Sequence, residues 1–98
     1  MNQEKPLIEF EDKEGRYCTN CLINYTPVEF IFDFGTLHPG IPELNIQAKI
    51  RYHTRIRTSP QHAKMIANLL NKQIREFEQK FGEIRLTTES TKPPPSIA

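Results

Sequence analysis

Few residues in this chain have the type and spacing to do chemistry: the pair Cys18-Thr-Asn-Cys21, the histidines His38, His53 and His62, and the cations Lys49, Arg51, Arg55 and Arg57. Two cysteines separated by two residues match the spacing of zinc knuckles and of thioredoxin-like redox pairs. A tetrahedral metal needs four ligands, however, and there is no second CxxC or CxxH. The histidines fall in an expected loop, an expected strand and an expected helix start, so folding or a second subunit would have to recruit them. On an extended strand Cys18 and Cys21 point to opposite faces, whereas redox pairs sit at a helix N-terminus. The pair therefore reads as two small strand residues, and the expected cofactor and metal sets are empty.

Lys49, Arg51, His53, Arg55 and Arg57 occupy every second position of an extended segment, which puts them on one face as a basic ladder. Such a face could meet phosphate oxygens or an acidic protein partner. No aromatic residue interleaves with the ladder on that face, so the stacking platforms that hold single-stranded nucleic acid are missing. Glu29 and Asp33 on the preceding strand are positioned to neutralise it from across the sheet. The other acidic group outside the helix, Glu11, Asp12 and Glu14, has the spacing neither of a metal loop nor of an acid and base pair. A nucleophile elbow, a phosphate-cradling glycine loop and an HExxH helix are all absent. The expectation is a protein that is not an enzyme.

Local structure around these residues follows from hydrophobic period. Residues 1–16 are dense in charge and read as a flexible acidic arm, with Leu7-Ile8-Glu9-Phe10 the one stretch able to pair as a short fourth strand. Tyr17, Thr19, Cys21, Ile23 and Tyr25 share one side of a first strand. After Thr26-Pro27, the residues Val28, Phe30, Phe32 and Phe34 alternate with Glu29, Ile31 and Asp33 in a second. Gly35 closes that strand, and Gly35 to Glu43 reads as a loop. The third strand, Leu44 to Thr58, alternates without interruption, with Leu44, Ile46, Ala48, Ile50, Tyr52, Thr54 and Ile56 opposite the basic ladder.

Ser59-Pro60 opens a helix, because serine accepts from an orphan backbone N–H and proline at the first helical position loses no donor in use. Ala63, Ile66, Leu70, Ile74, Phe77 and Phe81 draw one apolar stripe, which Met65 and Leu69 widen, and Gly82 ends the helix. From Pro60 to Phe81 it would run about 33 Å. That is longer than a three-stranded layer can shelter, so Ile66, Leu69, Leu70, Ile74, Phe77 and Phe81 are the expected oligomer interface. Residues 85–98 read as a disordered tail. The fold class is α+β: an antiparallel sheet of three or four strands, then one long C-terminal helix packed on it, with residues 17–84 as a single dimerising domain.

Bulk properties agree with that size class. The chain has 98 residues, 37% hydrophobic and 26% charged, with a formal net charge of +1, which gives no global pull toward nucleic acid. No apolar run approaches the roughly 20 residues needed to span a bilayer, and the acidic N-terminal stretch is unlike a signal peptide. Cysteines three positions apart would staple almost nothing of the fold, so a reducing cytoplasm is the expected location.

The string Tyr17…Asn20…Ile23…Thr26-Pro27…Glu29-Phe30…Asp33-Phe34-Gly35, followed by Ser59-Pro60…His62-Ala63-Lys64 and Phe77-Glu78…Phe81-Gly82…Ile84, resembles a family of short prokaryotic proteins, domain of unknown function 3467. The resemblance spans Tyr17 to Ile84 and implies a shape without any catalytic residue. A looser likeness, at the level of fold, is to the SecB-like chaperones, whose subunits place antiparallel strands before a long helix and hold unfolded chains in apolar grooves. The expectation for function is a homo-oligomeric protein-binding or assembly subunit whose partners are its own second copy and another protein, with no membrane. The alternatives are a SecB-like holdase and a nucleic-acid-binding module using the basic face.

Overall fold

The computed structural model of the chain describes residues 5–86, so the first four residues of the expected arm and residues 87–98 of the expected tail lie outside the described residues. The chain divides into two compact units, one ending at Thr58 and the other beginning at Ser59.

The first unit is a three-stranded antiparallel sheet in the order β1 (Asn20–Tyr25), β2 (Phe30–His38), β3 (Lys49–Thr58). β1 and β2 form a hairpin in which Tyr25 faces Phe30 and Asn20 faces Gly35. The turn is fixed by Thr26. Its amide donates to the Glu29 carbonyl at 2.9 Å, and its hydroxyl accepts from the Val28 and Glu29 amides, both at 3.2 Å. A β-branched hydroxyl before a proline is thus spent on closing the turn.

Four expectations for this unit need correction. The first strand starts at Asn20, not Tyr17. The fourth strand does not form: Leu7, Ile8 and Phe10 lie in irregular chain and are 92%, 79% and 69% exposed. Gly35 does not end the second strand, which runs on through it to His38, so the loop is shorter than expected. The third strand starts at Lys49, not Leu44. Between them Ile41 and Ile46 form an isolated bridge, exchanging two backbone hydrogen bonds of 2.8 and 3.0 Å around a 3-10 turn at Pro42–Leu44. Asn45 closes this turn in the left-handed region at φ 57°, which asparagine tolerates better than most residues.

The second unit is α1 (Pro60–Phe81), 22 residues, with the ends the sequence predicts. Ser59 Oγ accepts from the His62 amide at 3.1 Å, and Pro60 stands at the first helical position. Gly82 ends the helix at φ 100°, a conformation costly for any residue with a Cβ, and its amide still donates to the Glu78 carbonyl at 2.9 Å. The Glu78 carboxylate then accepts from the Ile84 amide at 3.0 Å, which turns the chain just past the end.

Candidate functional site

The polar surface of the sheet is organised by a feature that alternation alone does not reveal. Phe34 pairs with Thr54, but the next residue of β2, Gly35, pairs with Tyr52. His53 is left over as a β-bulge, and its ring and the Thr54 hydroxyl share a 2.8 Å hydrogen bond although the two residues are neighbours in sequence. The bulge swaps the faces of everything before it. On one side of it Arg55 and Arg57 stand opposite Asp33 and Ile31, while on the other Arg51 and Lys49 stand opposite Thr36 and His38 and share the face of Phe30, Phe32 and Phe34.

The expected uninterrupted basic ladder is therefore split between two faces, and the premise that no aromatic ring shares it also falls: Tyr52 lies on the face of Arg55, and Phe34 on that of Arg51. Gly35 permits this. A Cβ at that position would lie 2.6 Å from the Arg51 carbonyl oxygen and 2.9 Å from the Tyr52 Cα, so β3 can approach only a glycine there.

Arg55 and Arg57 are neutralised across the sheet by the two acids that the sequence places opposite them. Arg55 binds Asp33 through two parallel hydrogen bonds, Nε to Oδ1 at 2.7 Å and Nη2 to Oδ2 at 3.0 Å. Arg57 holds Glu29 with Nη2 to Oε1 at 2.9 Å and Nε at 3.2 Å from both oxygens. Asp33 is buried, the one buried charged residue among the described residues. The hydrogen bonds from Arg55, and then its charge, hold the Asp33 carboxyl below the usual carboxylate range, against the opposing effect of burial. The same contacts keep Arg55 and Arg57 more firmly protonated.

Beyond the bulge a shallow open cleft is lined by Arg16, Thr36, His38, Arg51, Tyr52 and His53. The arm reaches this point: Arg16 Nη1 donates to the His53 carbonyl at 3.3 Å, tying the chain before β1 to the bulge on β3. Among the described residues neither Arg16, Lys49 nor Arg51 has a carboxylate within ion-pair distance. Asp12 lines the neighbouring hollow with Arg16, Cys18 and Phe34, and its Oδ1 accepts from the Glu14 and Gly15 amides, both at 3.1 Å.

Cys18 and Cys21 are both free thiols. β1 begins only at Asn20, so strand alternation does not separate them; Cys18 lines a hollow with Phe34, the residue that Cys21 faces across the hairpin. The Cys21 thiol is pushed up, first by burial and then by Cys18 and Asp33, which is opposite to the shift that makes a thiolate nucleophile or ligand. Among the described residues no group of three or more His, Cys, Asp or Glu is placed to hold a metal ion.

The helix carries the other candidate surface. Leu69, Leu70, Phe77 and Phe81 are 55%, 58%, 48% and 70% exposed, and Ile66 and Ile74 are half-buried. Phe77 and Phe81 lie one turn apart with ring centroids 4.9 Å from each other and planes tilted by 48°. Among the described residues no helix is long and apolar enough to cross a membrane.

The fold defines a class: a small α+β protein with an antiparallel three-stranded sheet followed by one long C-terminal helix. Within it the chain belongs to the family described as protein of unknown function (DUF3467), whose model matches residues 2–86. No curated protein matches the chain. No solved structure matches either, so the looser likeness to SecB-like chaperones has no structural neighbour behind it.

Proposed function

We propose that this chain is a homo-oligomeric assembly subunit that completes itself through the stripe of α1 and presents another surface to a protein partner. The observation that carries this reading is the exposure of Leu69, Leu70, Phe77 and Phe81 along a single helix face. A run of large apolar side chains of this kind on a short chain marks an interaction surface. The sheet supports the same reading. Both its faces hold apolar side chains, Ile23, Tyr25 and Ile56 on one and Leu22 and Ile50 on the other, and one helix can cover only one face of a three-stranded layer. Beyond β3, ten residues long, no described strand pairs with the outer edge.

Mass measured by light scattering after gel filtration tests the proposal. The expected outcome is a dimer or larger species for the native chain and a single-chain mass for Leu70→Glu and Phe77→Glu, since each charge forfeits roughly 1.5–3 kcal/mol of apolar burial per copy. A native mass of 11.4 kDa at high concentration would overturn it.

A second reading, a holdase for unfolded chains, draws on the exposed sheet face at Ile23 and Tyr25, 58% and 74% accessible. It requires the purified protein to suppress aggregation of denatured clients at stoichiometric amounts, and failure with several clients removes it.

A further inference from the structure

We propose that the cleft beside the bulge binds the terminal phosphate of a phosphate monoester, a dianion held by Arg16 and Arg51 with His38, His53 and the Thr36 hydroxyl as further donors. The cleft gathers two guanidinium groups, two imidazoles and a hydroxyl from three separate stretches of chain: the arm before β1, the end of β2 and the start of β3. Lys49 pairs with His38 across the ladder, on the same face as Arg51. The remaining sheet arginines are each closed by a carboxylate, whereas Arg16, Lys49 and Arg51 meet none among the described residues. Asp12, which lines the neighbouring hollow with Arg16, spends Oδ1 on two backbone amides.

Guanidinium groups match phosphate oxygens with paired donors, and several converging on one point favour a compact, doubly charged anion. A nucleic-acid backbone would need a track of cations along the strand, and the bulge removes that track by sending Arg55 and Arg57 to the other face. The arrangement therefore suits a single phosphate group better than a polyanion. It is built by the fold, because the Arg16 contact to the His53 carbonyl and the loss of a side chain at Gly35 bring the arm and both strands to one place.

The test is a titration of the 98-residue chain, followed by two-dimensional amide NMR, with inorganic phosphate and pyrophosphate at constant ionic strength and with an oligonucleotide lacking terminal phosphates. Saturable shifts centred on Arg16, Thr36, Arg51 and His53 are expected with both small anions. Arg16→Gln and Arg51→Gln, both surface changes, should weaken binding about tenfold or more, as removal of one charge-assisted contact does. Arg55→Gln, on the opposite face, should leave the affinity within about twofold. The proposal fails if the shifts track ionic strength and not the anion, if Arg51→Gln binds pyrophosphate as tightly as the native chain, or if the unphosphorylated oligonucleotide binds more tightly than pyrophosphate.

Discussion

Asp33 surrenders most of its water to the sheet and is compensated by one planar guanidinium presenting two donors to two oxygens. The pH dependence follows from the depressed carboxyl. The stabilisation from this contact is fully present above the unfolded carboxylate value, about 4, and is lost as pH falls through the lower folded value. Asp33→Asn should lower the melting temperature at neutral pH and flatten the acid limb of a stability profile measured by circular dichroism; an unchanged acid limb would assign that limb to other groups. Gly35→Ala places a methyl group against the β3 backbone, and the expected cost is about 1–3 kcal/mol in denaturant unfolding. The two ion pairs were legible in the sequence, because Glu29 and Asp33 alternate with phenylalanines and so must face whatever lies across the sheet. The bulge was not. The string Lys49 to Thr58 alternates in residue type straight through His53, and the only hint was a glycine on the neighbouring strand, which reads just as well as a stop.

Among the elements, α1 was readable to both ends, since Ser59, Pro60 and Gly82 each solve a local problem of unpaired backbone groups that no distant contact has to settle. Ser59→Ala leaves the His62 amide without its side-chain acceptor and should cost about 1 kcal/mol, read as a fall in thermal midpoint and an earlier loss of helical ellipticity. The hairpin of β1 and β2 was legible for a similar reason, its period-two aromatics and its Thr26-Pro27 turn agreeing with each other. What lay beyond Gly35 depended on pairing between residues far apart in the chain. There the expected loop became strand, and the expected strand became the Ile41 and Ile46 bridge with its 3-10 turn. Arg16 likewise read as part of a loose acidic arm, because a hydrogen bond to a carbonyl 37 positions away leaves no trace in local composition.

For the molecule as a whole, Ala63 is the only buried hydrophobic residue among the described residues, and no large side chain there is fully buried. A chain with so little interior gains stability from whatever covers its apolar surface. If that cover is a second copy, the thermal midpoint should rise with protein concentration, by mass action. Differential scanning fluorimetry across a wide dilution series checks this, and a midpoint independent of concentration would point to a monomer.

His53 stands outside the count of paired residues, so β3 carries one residue more than its ladder uses. Strand length and surface chemistry are thereby uncoupled at one position. Excising His53, as opposed to replacing it, would let Tyr52 and Thr54 sit as ordinary neighbours opposite Gly35 and Phe34, with Lys49 and Arg51 still on one side and Arg55 and Arg57 still on the other. The chain would become shorter and more regular, and it would lose both the backbone carbonyl that anchors Arg16 and an imidazole that lines the cleft.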